Sequence, residues 1–362
     1  MSGPTLLLLD GDGIGPEIVA ATRHVLETAN AAFALGLTFT TATIGFDALK
    51  ESGTTIPDAV VEAALAADGV VLGPVSHNDY PPVAEGGLNP SGTLRKKLDL
   101  YANIRPAKTP PGVDATPVDL VTVRENTEGF YADRNMAEGP GEFMPEPGIA
   151  LAIRKITSRA SRRIADAAFR LAETRGAKHV TAVHKANVLR LSDGVFLAET
   201  RAVAAEHPGI RYDEVLIDAM AAHLVRDASR YDVIVTTNMY GDILSDLAAE
   251  LSGSLGLAAS LNAGETHAMA QAQHGSAPDI AGKGLANPAS LIGSAAMLLH
   301  WLAERRGSDA LAAAARAVDD GLAAALADAS SRTPDLGGTA GTMDCAATVA
   351  ARILAAGKAH AE

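Results

Sequence analysis

The run TLLLLDGDGIGPEIVAATRHVLETA at residues 5–29 decides the fold class. Leu6 to Leu9 are apolar without alternation, the pattern of a short strand covered on both faces rather than on one. Glycines then break the chain, and Pro16 suits the first turn of a helix, where its missing N–H costs nothing. Ile18, Val25 and Ala29 recur beyond it at helical spacing, so the stretch is a strand, a turn and an amphipathic helix.

Outward from this unit the same alternation continues. GVVLG at 69–73, DLVTV at 119–123, HVTAV at 179–183 and DVIVT at 232–236 predict strands, and helical periodicity occupies 57–67, 158–175, 193–206 and 242–251. The class is α/β around a central, largely parallel sheet. Residues 132–149 carry three Pro, three Gly and three Glu, which interrupts the alternation and predicts an arm or irregular insertion. From about residue 289 the chain is mostly helical, and its Ala-rich periodicity belongs to core packing.

At 362 residues the chain exceeds the size at which one core stops growing, so two lobes are expected. A formal charge of −13 argues against sequence-independent binding to nucleic acid or an anionic membrane, so no partner of either kind is expected. The single cysteine, Cys345, excludes an internal disulfide, and four consecutive leucines near the start are too few for a leader or a membrane span. A cytoplasmic protein is the expectation.

HGSAPDIAGKGLANP at 274–288 cannot hold a regular helix or strand. Gly282 and Gly284 free the backbone while Pro278 and Pro288 fix it, giving a shaped loop with exposed N–H groups. A carboxylate at Asp279 suits the paired hydroxyls of a ribose and repels a 2′-phosphate, which favours NAD over NADP. Elsewhere Arg95, Arg105 and Arg124 lie beside expected strand ends or loops, and guanidinium forks are the usual grip for carboxylates. Asp242 and Asp246 stand four apart on one helical face, a spacing that brings two hard oxygen ligands toward one Mg²⁺ or Mn²⁺. Asp218 follows an apolar strand, where a lone carboxylate is costly, and is a candidate third ligand. Lys185 follows another strand, where partial burial eases loss of its proton.

Read in order, GDGIGPE (11–17), LRKKLDLYANIRPAK (94–108), RENTEGFY (124–131), HKANVL (184–189), GDILSDLA (241–248), the 274–288 loop and RTPDLGG (332–338) resemble the isocitrate/isopropylmalate dehydrogenase family. The resemblance implies a two-lobed fold with a central mixed sheet and no Rossmann domain. Residues 1–100 with 252–362 would form a cofactor-binding lobe, and 101–251 a lobe for substrate, metal and dimerisation. It implies NAD-dependent, metal-dependent oxidation and decarboxylation of a 3-substituted (R)-malate. Arg95, Arg105 and Arg124 match the positions that hold the malate carboxylates, and Asp218, Asp242 and Asp246 the ligands of Mg²⁺ or Mn²⁺. Lys185 matches the general base and Tyr131 the acid that protonates the enol carbon. His274, Gly275, Ser276, Ala277, Asp279 and Asn287 match the adenosine-binding loop. In the family Lys185 and Asp218 enter the neighbouring subunit's site, which implies a homodimer with shared active sites, and the 132–149 arm falls where chains cross.

Substrate choice rests on the residues before Arg95. Isopropylmalate-using members place adjacent leucines there for an apolar branch; this chain has Asn89, Pro90, Ser91, Gly92 and Thr93. A polar, isocitrate-like branch is therefore expected, with Asn89 and Ser91 as its contacts. Homoisocitrate, tartrate, D-malate and 3-isopropylmalate are the alternatives, and a non-catalytic regulatory subunit is the alternative class.

Overall fold

The computed structural model describes residues 3–131, 136 and 139–361. Strand β1 (Thr5–Leu9) is buried on both faces as its composition requires: Leu6 and Leu8 enter one apolar cluster, Leu7 and Leu9 another. Helix α1 (Gly15–Phe33) follows with Pro16 in its first turn and Ile18, Val25 and Ala29 on its buried face. It stops at Ala34, which adopts a left-handed conformation and returns its N–H to the carbonyl of Asn30.

Four further elements complete the first stretch of chain: β2 (Thr38–Ala42), α2 (Gly45–Ser52), α3 (Asp58–Ala66) and β3 (Gly69–Leu72), the last leading through an irregular loop into α4 (Pro90–Lys97). Strands β4 (Ala102–Lys108) and β5 (Asp119–Glu125) form an antiparallel pair. Next come the hairpin β6 (Glu142–Glu146) and β7 (Ile149–Ala152), helix α5 (Ser158–Thr174), β8 (His179–His184), α6 (Ser192–Glu206), β9 (Arg211–Leu216), α7 (Ile217–Asp227), β10 (Val233–Thr236) and α8 (Asn238–Leu251). Short strands β11 (Leu261–Ala263) and β12 (Ala268–Gln271) precede the helices α9 (Ala289–Arg306), α10 (Asp309–Ala327) and α11 (Thr342–Ala361).

Ten strands make one sheet in the order β2-β1-β3-β12-β11-β4-β5-β10-β8-β9. Pairing is parallel within β2-β1-β3-β12 and within β5-β10-β8-β9, and antiparallel where β12, β11, β4 and β5 meet. The two parallel halves therefore run in opposite directions and join at the centre, so the sheet is mixed. Helices α1, α9, α10 and α11 cover one face of the first half. In the second half, Val121, Val123, Val233 and Val235 face α5 and α6, while Leu120 and Ile234 face the residues of α7 and α8. Period-two alternation with both faces apolar is what a covered parallel sheet requires.

The arm expected at 132–149 lies partly outside the described residues, at 132–135 and 137–138. Its described part is the β6–β7 hairpin, a separate two-stranded ribbon with every residue exposed. Among the described residues no helix is long and apolar enough to cross a membrane.

Candidate functional site

The centre of the sheet carries a pocket of about 300 Å³ lined by Asn89, Ser91, Arg95, Arg105, Arg124, Tyr131, Asp242, Gln271, Gln273 and His274, with others. Helix α4 begins there because Asn89 caps it, its Oδ1 accepting the N–H of Gly92 at 3.1 Å, with Pro90 in the first turn. Ser91 and Arg95, four residues apart, share one buried face of that helix.

Arg105 sits inside β4 rather than at a strand end as its sequence context suggested. Its Nε donates to Asn103 Oδ1 at 2.6 Å, and its Nη1 reaches Ser245 Oγ at 2.8 Å, Asp242 Oδ1 at 3.2 Å and Asp246 Oδ1 at 3.3 Å. Arg124, near the end of β5, donates from Nε and Nη2 to Asn238 Oδ1 and from Nη1 to Asp242 Oδ1. Helix α8 can pass this close only because residue 241 is glycine: a Cβ there would lie 2.6 Å from Arg124 Cβ. Tyr131 donates its hydroxyl to Asp242 Oδ2 at 3.3 Å, and the Arg124 guanidinium lies 5.8 Å from the centre of its ring.

Three buried guanidinium groups thus face two carboxylates, which gives the pocket surplus positive charge in a protein that is acidic overall. Burial pushes the Arg105 pKa down to about 10, with Arg124 adding repulsion and the two aspartates opposing both. Burial alone would raise the Asp242 pKa, but Arg124, Arg105 and Arg95 outweigh it and hold the carboxyl below its ordinary value. An anionic ligand is the natural complement of such a pocket.

Asp242 and Asp246 share one Arg105 nitrogen, so their carboxylates approach a common point, and half-exposed hard oxygens there fit Mg²⁺ or Mn²⁺. Among the described residues, however, no three acidic, His or Cys side chains converge. Asp218 stands at the start of α7 after the edge strand β9, is largely exposed rather than buried, and lies 2.6 Å from Lys185 Nζ. Neither Asp218 nor Lys185 lines the pocket of its own chain. The peptide N–H of Lys185 is held by buried Asp193, which forms an ion pair with Arg154 at 2.6 Å.

The 274–288 loop rests on the glycine turn after β1. Ile14 N–H donates to the Ser276 carbonyl at 2.8 Å, Ser276 Oγ meets Ser76 Oγ at 2.7 Å, and Glu17 accepts the N–H of Gly284 at 2.9 Å. Ala277 takes a positive φ of 36° between Ser276 and the short helical turn at Pro278. Gly275 has open space where a side chain would stand, and Asp279 is exposed, with its carbonyl accepting from Lys283 Nζ at 2.7 Å. Asn287 Oδ1 accepts the first N–H of α9, and its Nδ2 donates to Asp335. Burial depresses the His274 pKa, and Nδ1 donates to the Gly275 carbonyl, so Nε2 of a neutral imidazole is left as a buried acceptor with no protein donor among the described residues.

Sequence reasoning named Asn89 and Asn287 but missed two other neutral amides, Gln271 and Gln273. Gln271 Oε1 accepts from Ser91 Oγ at 2.9 Å and Arg95 Nη2 at 3.1 Å, and Gln273 Nε2 donates to Asp246 at 2.6 Å. The only signal for them was two glutamines in the apolar run AMAQAQH.

Comparisons with known proteins bear on the family and the fold. The family model described as isocitrate/isopropylmalate dehydrogenase matches residues 5–351. The isocitrate/homoisocitrate dehydrogenase of Thermus thermophilus is 44% identical over 339 residues, 93% of this chain and 95% of that protein. The 3-isopropylmalate dehydrogenase of Methanothermobacter thermautotrophicus is 40% identical over 97% of this chain and 98% of its own. Among solved structures, isocitrate dehydrogenase from Methylococcus capsulatus matches with a TM-score of 0.85 at 40% identity, covering 98% of this chain and 99% of that one. Over almost its whole length, in sequence and in fold, the chain belongs to the isocitrate/isopropylmalate dehydrogenase family and is a dehydrogenase acting on secondary alcohols.

Proposed function

We propose that the protein oxidises and decarboxylates a 3-substituted (R)-malate with an isocitrate-like polar branch, using NAD and Mg²⁺ or Mn²⁺, as a homodimer with shared sites. The observation that carries this reading is the convergence of buried Arg95, Arg105 and Arg124 with Asp242 and Tyr131 in one pocket beside Asn89 and Ser91. The neighbouring 274–288 loop, with exposed Asp279 and the acceptor Nε2 of His274, supports NAD. Residues 1–100 with 252–362 would form the cofactor lobe and 101–251 the other; buried clusters drawn almost entirely from one set or the other support the division.

In this reading the three arginines grip the malate carboxylates and fix the hydroxyl carbon toward the cofactor loop. Lys185 of the partner subunit accepts the hydroxyl proton, and Tyr131 returns a proton to the carbon that loses CO₂. Asp242, Asp246 and the partner subunit's Asp218 would hold the cation, which when bound supplies Lewis-acid polarisation of the substrate oxygens. Bound NAD supplies the hydride acceptor. Exposed Phe143, Met144, Ile149 and Leu151 on the β6–β7 hairpin support its crossing to a second chain.

The test is NADH formation with Mg²⁺ or Mn²⁺ across isocitrate, homoisocitrate, tartrate, D-malate and 3-isopropylmalate, with NADP as control. The expected winner is isocitrate; a preference for 3-isopropylmalate overturns the polar branch, and inactivity on all five favours a regulatory subunit.

A further inference from the structure

Gln271 closes β12 with its backbone fixed on both sides: its N–H donates to the Ser260 carbonyl at 3.1 Å and its carbonyl accepts from Ser294 Oγ at 3.0 Å. Its side-chain oxygen is just as fixed. Oε1 faces three donors, Ser91 Oγ at 2.9 Å, Arg95 Nη2 at 3.1 Å and Asn262 Nδ2 at 3.4 Å. Turning the amide over would set an NH₂ group against a guanidinium and another amide, so the orientation is determined. Nε2 is then directed away from that cluster and has no acceptor among the described residues, although Gln271 lines the pocket. The Ser91 hydroxyl, expected to meet substrate, has given its proton to Gln271 instead. Asn89, on the same wall, spends its Oδ1 on the cap of α4, which leaves its own NH₂ as the group it can offer.

We propose that Gln271 is a specificity residue of this site, its Nε2 donating to a carboxylate that ends the branch at C3 of the substrate, with Ser91 and Arg95 acting as its supports. This rests on the polar-branch reading and names the group that enforces it. An apolar branch would leave the Gln271 NH₂ desolvated without an acceptor, which discriminates against it more strongly than shape alone.

Two variants separate contact from support. Gln271→Glu keeps an oxygen facing Ser91 and Arg95 but replaces the donor with an anion, whereas Gln271→Leu removes both. The readout is the ratio of kcat/KM for isocitrate to that for 3-isopropylmalate and for D-malate, which has no branch. A hydrogen bond to a charged group predicts that each ratio falls about 10- to 100-fold in the Leu variant and at least as far in the Glu variant. If the wild type prefers isocitrate and the Glu variant keeps both ratios, Gln271 is only a support and the proposal fails by itself. If the wild type prefers 3-isopropylmalate, the reading of the function fails and the proposal with it.

Discussion

Glu128 lies four residues beyond Arg124, with 1% of its surface exposed, and its carboxylate accepts the Thr157 N–H at 2.8 Å and the Thr157 hydroxyl at 3.0 Å. Burial pushes its pKa from 4.5 up to about 7, with the Thr157 N–H opposing and nearby Glu125 reinforcing the shift. A carboxyl raised in the folded state binds its proton more tightly there than in the unfolded chain. Stability is therefore lost as pH rises through the interval between 4.5 and about 7, and the loss is complete above it. Gln is isosteric and can donate to the Thr157 hydroxyl, so Glu128→Gln should gain on the wild type by about 2 kcal/mol as pH goes from 5 to 8. Thermal or urea melts at the two pH values measure this; a constant difference refutes it. Arg95, Arg105, Arg124 and Asp242, which the structure brings into one pocket, stood out in the sequence because charged side chains are rare beside apolar strands and on apolar helices. Gln271, Gln273 and Asn238 did not, because a neutral amide has the same sequence signature on a surface as in a pocket.

At the scale of elements, strands with uniform apolar composition were readable to within a residue or two, as β1, β3 and β8 show. Those that escaped had a physical reason. Exposed β2 is TFTTA, β11 has three residues, and β4 carries Arg105 and Pro106 in a strand paired on both sides. Their pairing is imposed by neighbours rather than by their own composition. The turn after β1 was legible as a turn, but its work as a seat for the 274–288 loop needed the third dimension. Gly13 has φ of 58°, and a Cβ there would lie 2.0 Å from the Ser276 carbonyl oxygen. Gly13→Ala thus combines left-handed strain with displacement of the loop that Ile14 and Ser76 hold, about 1–2 kcal/mol from the strain alone. The KM for NAD should rise at least tenfold while kcat at saturation changes by less than about threefold. An unchanged KM would mean that the loop binds no cofactor.

At the scale of the whole molecule, the proposed homodimer with shared sites makes its own prediction. Lys185 and Asp218 form a pair outside the pocket of their own chain, and among the described residues no third acid joins Asp242 and Asp246 there. The same chain exposes Leu191 at 89%, Val188 at 66% and Met144 at 62%, beside Lys185 or on the separate hairpin. A twofold dimer would cover this surface and carry each Lys185 to the opposite site, since an isologous interface exchanges contributions reciprocally. Lys185→Met alone should abolish turnover, with isocitrate affinity changing by less than about threefold because the arginine grip is intact. Asp242→Asn alone should abolish turnover too. Mixed after dissociation, or coexpressed, the two inactive chains should regain about a quarter of wild-type activity: half the dimers are mixed, and each mixed dimer has one complete site of two. The number depends only on which chain supplies the base, because a base acting within its own chain leaves every site in the mixture broken. Zero recovery in verified mixed dimers would thus return Lys185 to its own chain and require a movement that brings it to Asp242.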